Sequence, residues 1–163
     1  MFHAVDVAIT QLGICELTGN NDGVPADRYM RGDKLAWCAG FVLYCYDVSD
    51  DPDIWDDDDD TTKHDDRRFW GLRAVSALEE WAKTMGVWIG PRVIPAANDV
   101  IFYGSRKGSD AKKGGMHTGI VEFVDDNGIH TVEGNLGDSV KRRTVKPGNP
   151  SITGFARFAR RVP

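Results

Sequence analysis

The feature that most constrains the fold is an unbroken apolar run, residues 41–46, which follows closely on Cys38. Its length and composition predict a buried helix over residues 37–47. Asp33, in the polar loop just before it, is the predicted N-cap. A thiol in the first turn of a helix meets the positive end of the helix dipole and unpaired backbone N–H groups, which favour the thiolate. The sequence therefore predicts a reactive cysteine at the start of a helix.

Segments with helical spacing come first in this chain, and segments typical of strands come after them. Further helices are predicted over residues 3–13 and 73–85, and residues 19–32 between them are expected to be a turn-rich connection. The predicted strands are residues 99–103, 117–124, 129–133 and 154–158. This order is typical of an α+β fold, with N-terminal helices packed on a C-terminal antiparallel β-sheet. With neither a linker nor a repeat, residues 1–163 are predicted to form a single domain.

Two histidines lie in predicted strands, and His117 is the more suggestive of function. It stands at the entry to its strand beside a glycine-rich loop, where functional residues are commonly displayed. Glu133 and Asn135 follow on the next strand. A cysteine, a histidine and a carboxylate or amide on a neighbouring strand form the working set of a thiol hydrolase.

The loop between these two strands decides which side chains share a face. A three-residue loop, 126–128, would place Glu133 and Asn135 on the face of His117, and His130 on the other face. A two-residue turn at 127–128 would instead move Glu133 away from His117. The three-residue loop is favoured because a glycine stands at its last position, where the left-handed conformation is needed. His117 is therefore the predicted base, and His130 is predicted to be structural.

Three motifs thus follow one another: the helix that begins near Cys38, the His-Thr-Gly-Ile-Val strand from His117, and the Glu-Gly-Asn segment from Glu133. In this order they resemble the CHAP family (cysteine- and histidine-dependent amidohydrolase/peptidase), a branch of the papain-like cysteine hydrolases. The resemblance implies a papain-like CHAP fold in which Cys38 is the nucleophile and His117 the general base. It further implies that Glu133 orients His117, that Asn135 adds a polar contact, and that the chemistry needs no metal.

The residue before the cysteine departs from the papain-like pattern. Many papain-like enzymes place a Gln near this position to help form the oxyanion hole, and here the neighbour is Trp37. No side-chain donor is therefore indicated, and the backbone N–H of Cys38 is the first candidate. Trp37 and Thr118, which adjoin the cysteine and the histidine, are predicted to contact the substrate.

The resemblance also implies a function. CHAP enzymes mostly hydrolyse peptidoglycan, either as N-acetylmuramoyl-L-alanine amidases or as endopeptidases of the stem peptide and cross-bridge. A small chain of this kind is similar to a bacteriophage endolysin or tail-associated lysin, with bacterial peptidoglycan as its partner and a monomer as its expected state. Two alternatives stay open: a cytosolic amidase of a small thiol–polyamine conjugate, and a non-catalytic wall-binding or virion structural module.

The charge is divided unevenly along the chain. Residues 1–66 carry 16 acidic and 4 basic side chains, and residues 67–163 carry 9 acidic and 16 basic ones, which together give the net charge of −5. An acidic protein is not expected to bind nucleic acid, because phosphate binding depends on clustered Lys and Arg. The basic stretches 141–143 and 160–161 are expected to be solvated surface, with contact to an anionic wall polymer as the alternative.

Eight of the eleven residues from 50 to 60 are acidic. Such a density of like charge predicts an exposed loop, about residues 49–66. Calcium is the alternative reading, because hard oxygen ligands suit that ion. The stretch lacks the spaced ligands and the glycine of an EF-hand, so no cofactor is expected.

Three cysteines at irregular spacing predict neither a disulfide framework nor a zinc site. Cys15 and Cys45 are expected to be small core side chains. Asp6 interrupts the N-terminal apolar residues, so no signal peptide is predicted, and no run approaches transmembrane length. The expectation is a chain made in the cytoplasm that does not insert into a membrane and reaches the wall through holin release or virion delivery.

Overall fold

The computed structural model describes residues 2–51, 71–104 and 116–158. Within these ranges the chain forms four α-helices and one six-stranded β-sheet. The helices are α1 (Ala4–Thr10), α2 (Val24–Tyr29), α3 (Cys38–Val48) and α4 (Val75–Thr84). The strands are β1 (Trp88–Ile89), β2 (Val100–Tyr103), β3 (His117–Asp125), β4 (Gly128–Glu133), β5 (Lys141–Val145) and β6 (Ile152–Ala156).

The sheet has the strand order β1-β6-β2-β3-β4-β5, and every neighbouring pair is antiparallel. Helices α1 and α3 pack against it across β3. The predicted α+β arrangement, with N-terminal helices on a C-terminal antiparallel sheet, is therefore confirmed. Among the helices that the structure describes, none is long and apolar enough to cross a membrane.

Two apolar clusters lie on opposite faces of the sheet, because successive strand residues point to alternate faces. Phe102 of β2 and Ile120 of β3 belong to the larger cluster, together with Phe41 of α3. Their chain neighbours Ile101 and Val121 belong to a second, smaller cluster. Because successive strand residues point to opposite faces, the sheet is buried on both sides along β2 and the first half of β3.

Helix α3 is the buried helix that the sequence predicts, displaced by one residue from the expected range. Cys38 is its first residue and Trp37 is its N-cap, so the prediction that Asp33 caps this helix is wrong. Asp33 instead accepts a hydrogen bond of 2.6 Å from Arg73, just before α4. Its carboxylate thus joins the approach to α3 to another part of the chain rather than to the helix backbone.

Regular structure also occurs where the sequence analysis predicts none. The connection over residues 19–32 contains α2, and Pro25 in its first turn suits the start of a helix. Strand β5 was missed because its first three residues are all basic and do not alternate with apolar ones. The two-residue strand β1 was also missed, and the remaining elements agree in type, but α1 ends at Thr10 rather than at residue 13, and β6 ends two residues before the predicted position.

The predicted loop between β3 and β4 is wrong, although the predicted shared face is right. Asp125 pairs with Gly128, so the turn contains only residues 126 and 127. This pairing alone would place Glu133 on the face opposite His117. The register then shifts by one between Val121 and Phe123, leaving Glu122 as an extra residue. Such a bulge reverses the alternation, and it returns Glu133 to the face of His117.

The three cysteines are free, and their burial differs from the expectation in one case. Cys45 is fully buried in α3, as predicted. Cys15 is exposed, so the prediction that it is a core side chain is wrong. The Cys15 backbone forms an isolated β-bridge to Ser139, outside the helices and the six-stranded sheet, and the side chain lies at the surface.

The predicted acidic loop begins within the described residues and continues beyond them. Asp50 accepts a hydrogen bond from the Phe2 N–H, and Asp51 accepts one from the Ala4 N–H at the start of α1. The Asp51 side chain is only 7% exposed. The expected exposed loop is therefore wrong for Asp51, because its charge is used to cap a helix. Residues 52–66, with the calcium alternative, lie outside the described residues.

Candidate active site

Helix α3 begins at Cys38, where the first backbone N–H groups have no carbonyl partner within the helix. The first i→i−4 hydrogen bond of this helix runs from the Phe41 N–H to the Trp37 carbonyl, at 2.8 Å. The N–H groups of Cys38, Ala39 and Gly40 precede it and have no carbonyl partner within the helix. These groups can stabilise negative charge on the sulfur or on an oxygen bound beside it.

His117, the first residue of β3, contacts both Cys38 and Glu133. Its Nε2 lies 2.9 Å from Oε2 of Glu133, which leaves Nδ1 for the hydrogen bond with the Cys38 thiol. Burial lowers the pKa of His117, but the hydrogen bonds and charges of these two partners outweigh it and raise the pKa to about 9. The ring is therefore an imidazolium at neutral pH, poised to donate a proton.

Glu133 is fully buried and its two carboxylate oxygens are surrounded by donors. The Tyr103 hydroxyl donates to Oε1 at 2.6 Å, and the Thr131 hydroxyl donates to the same oxygen at 2.7 Å. Arg143 lies 3.6 Å from Oε2, the oxygen that also holds His117. Burial raises the pKa of Glu133, but the hydrogen bond and charge of His117, together with the hydrogen bonds of Tyr103 and Thr131, outweigh it, and the pKa is lowered overall. The carboxylate is therefore ionised inside the fold.

Tyr103 supports the site in two ways. Its ring stacks on the His117 ring, with 5.8 Å between centroids. Burial, and then the charge of Glu133, raise the pKa of the Tyr103 phenol, so the hydroxyl keeps its proton and remains a donor. Register explains the contact, because Tyr103 of β2 pairs directly with His117 of β3.

Gly119 creates the space in which Glu133 reaches His117. A Cβ at this position would lie 2.5 Å from Cγ of Glu133 and 3.0 Å from the Val132 carbonyl oxygen. The Glu133 side chain thus occupies the space that a side chain at position 119 of β3 would fill. Any larger residue would push the carboxylate away from the histidine two positions earlier.

Gly134 brings the end of β4 against the start of α3. A Cβ here would lie 2.5 Å from Cβ of Phe41 and 2.9 Å from Cζ3 of Trp37. Both aromatic side chains are fully buried. The close approach therefore sets the distance between the cysteine helix and the strand that carries Glu133.

Trp37 and Thr118 are not placed to contact a substrate, contrary to the sequence analysis. Trp37 is fully buried, and its indole N–H donates to Oε1 of Glu16 at 2.7 Å. Thr118 is also fully buried, and its hydroxyl donates to the Ile101 carbonyl at 2.8 Å. Because residues 118 and 117 point to opposite faces of β3, a displayed His117 requires a buried Thr118.

Asn135 lies beyond the end of β4, in a turn, with a φ of 58°. Its described hydrogen bond runs to Oδ1 of Asn21, at 3.3 Å, and not to His117. Asn21 in turn donates its backbone N–H to Glu16, the partner of Trp37. Asn135 therefore connects β4 to the loop that supports the start of α3, and its predicted contact with the catalytic set is indirect in the structure.

His130 is separate from this site, as the sequence predicts. Its Nε2 lies 2.8 Å from Asp125, and its ring stacks on Phe123.

Three residues that contact Glu133 were missed from the sequence, namely Tyr103, Thr131 and Arg143. The one available signal was alternation, since Thr131 lies two residues before Glu133 on the same strand face.

Within residues 2–51, 71–104 and 116–158, no group of three or more His, Cys, Asp or Glu side chains could hold a metal ion. The described site contains instead a thiol, an imidazolium and a buried carboxylate in line. This arrangement can supply a nucleophile, a proton donor that becomes a base, and a group that fixes the ring. No family model matches the chain, and no curated protein matches it.

Proposed function

We propose that this protein is a cysteine-dependent hydrolase of amide bonds. The observation that carries the proposal is the continuous contact from Cys38 through His117 to the buried Glu133. A structural histidine needs neither a thiol on one ring nitrogen nor an ionised carboxylate on the other. The two partners together are the arrangement that activates a sulfur nucleophile.

In the proposed reaction the Cys38 thiolate attacks the amide carbonyl carbon, and the carbonyl π electrons move to oxygen. The unpaired N–H groups at the start of α3 stabilise this oxyanion. His117 then gives its proton to the amide nitrogen, the C–N bond breaks, and a thioester remains on the sulfur. Neutral His117 next takes a proton from water, whose oxygen displaces the sulfur, so that the acid leaves and the thiolate–imidazolium pair is restored.

The proposed substrate is peptidoglycan, cut at the bond between muramic acid and L-alanine or within the stem peptide and cross-bridge. The support for it is the resemblance to CHAP enzymes in the motifs around Cys38, His117 and Glu133. We further propose a single papain-like CHAP domain of the kind that phages use as endolysins or tail-associated lysins. Glu133 orients the histidine in this proposal, and Asn135 supports the neighbouring loop.

The test is mass spectrometry of the products released from purified peptidoglycan. We expect the protein to release fragments with new termini from which the cleaved bond can be read. Cys38→Ala should abolish release while the protein still unfolds cooperatively on heating, and Cys15→Ala, which removes the exposed cysteine, should retain activity. Release by Cys38→Ala would refute the thiol mechanism. Binding of peptidoglycan with no bond cut would instead establish a wall-binding module, and cleavage of a small thiol–polyamine conjugate alone would establish the cytosolic amidase.

A further inference from the structure

Arg143 is the basic residue of β5 that turns toward the site. The guanidinium lies over the Tyr103 ring, with 4.6 Å from Cζ to the ring centroid, and 3.6 Å from Oε2 of Glu133. Its side chain is 30% exposed, whereas Glu133 is fully buried. The cation therefore covers the carboxylate from the solvent side.

The neighbouring arginine provides a direct contrast. Arg142 points to the other face of β5, where its Nε and Nη2 each lie 2.8 Å from an oxygen of Glu122. The basic stretch that the sequence analysis treats as solvated surface is thus divided by strand alternation. Arg142 forms a surface ion pair, and Arg143 becomes part of the candidate active site.

During the proposed reaction, Glu133 loses its cationic partner when His117 is deprotonated. While His117 is protonated, the buried carboxylate has a cationic partner. When His117 gives its proton to the leaving group, Glu133 would be left as a buried charge, which is unfavourable in a protein interior. Glu133 would then hold the His117 proton tightly and slow its release. A second cation on the same oxygen reduces this penalty, and an arginine stays charged throughout.

We propose that Arg143 is a positioning residue that shares Glu133 with His117, so that the imidazolium can release its proton and the neutral ring stays oriented toward Cys38. This inference rests on the proposed function for its catalytic consequence, but the electrostatic effect on His117 exists without any substrate. The contact with Tyr103 adds to it, because it holds the guanidinium flat against a residue that also donates to Glu133.

The pKa of His117 depends on every charged or titratable group that faces its partner Glu133. The groups that face the carboxylate come from four strands: Tyr103, His117, Thr131 and Arg143. Lys141 pairs with Glu133 across the sheet, but its ammonium group donates to the Gly137 carbonyl. From α3, only Cys38 has a described contact with the His117 ring. Among these described side chains, Arg143 is therefore the second cation, after His117, that lies against Glu133.

The test is an NMR titration of the His117 ring in the unmodified protein and in Arg143→Gln. We expect the titration midpoint of His117 to rise by about one pH unit in the variant. The reason is that the variant removes one unit of positive charge beside a carboxylate oxygen in a partly solvated site. Arg143→Met carries the same expectation if the glutamine variant does not fold. Arg143→Lys should keep the midpoint near that of the unmodified protein, because it keeps the charge.

Arg142→Gln is the matched control, and its midpoint should not move. A midpoint in Arg143→Gln that stays constant or falls would overturn the proposal, and so would an equal rise in Arg142→Gln or in Arg143→Lys.

On a soluble muropeptide, kcat of Arg143→Gln should fall about tenfold at neutral pH, with a smaller change in kcat/KM, because release of the thioester needs neutral His117. If no peptidoglycan fragment is hydrolysed at all, the proposed function fails while the titration still decides the role of Arg143.

Discussion

The free energy of unfolding of this protein should fall as the pH rises and His117 loses its proton. Burial lowers the pKa of His117, but hydrogen bonds to Cys38 and Glu133 raise it from 6.5 to about 9. Because the folded state holds the proton more tightly than the unfolded chain, the stabilisation is complete below about pH 6.5 and is lost as the pH rises toward 9. At about 1.4 kcal/mol per pKa unit, the loss is about 3 kcal/mol.

The measurement is urea unfolding at about pH 6.5 and about pH 9.5, for the unmodified protein and for His117→Gln. The unmodified protein should lose about 3 kcal/mol more than the variant between these conditions. Groups that titrate in this range and do not contact His117 are common to both proteins, so the difference between the two losses reports on His117 together with its partner Cys38. The pKa of Glu133 is lowered, so its own contribution is lost only at acidic pH and does not affect this range.

Cys38→Ala gives an independent check on the cause. The hydrogen bond that the His117 ring donates to the Cys38 sulfur is the largest of the effects that raise the pKa of His117. Removing the thiol should therefore reduce the pH dependence without abolishing it, because Glu133 remains. Equal losses of stability in the unmodified protein and in His117→Gln would refute the reasoning, since they would show that the histidine proton is not held more tightly in the folded state.

Three further predictions concern the same site. Glu133→Gln should lower hydrolysis by about 10²-fold and lower the pKa of His117, because the ring loses its charged partner; an unchanged pH–rate profile would contradict this. Gly119→Ala should lower hydrolysis by displacing Glu133, whereas Gly90→Ala, where a Cβ meets no atom within 4 Å, should not; equal effects would exclude the steric argument. Hydrolysis should continue in EDTA, and loss of activity that calcium restores would assign a role to the acidic residues 50–60.

Several features of this protein could be predicted from the sequence because they depend on neighbours in the chain. The unbroken apolar run indicated α3 and placed Cys38 in its first turn, and the strand-like run of residues 117–124 indicated the strand that starts at His117. Alternation placed both Glu133 and Asn135 on the face of His117, and the resemblance to CHAP enzymes favoured Glu133 between them. The predicted loop was nevertheless wrong, and the shared face was recovered only because a bulge at Glu122 compensated for the shorter turn.

Other features were decided by contacts between distant parts of the chain. Gly128 has a φ of 144°, which favours glycine, and a Cβ there would lie 2.5 Å from the Val145 carbonyl oxygen, so the neighbouring strand β5 requires this glycine as well as the local backbone. Tyr103 and Arg143 reach Glu133 from β2 and β5, which lie 30 residues before it and shortly after it in the chain. Local patterns determine which face a residue takes within its own strand. Only the packed sheet decides which strands are neighbours and at what register, and therefore which side chains surround a buried charge.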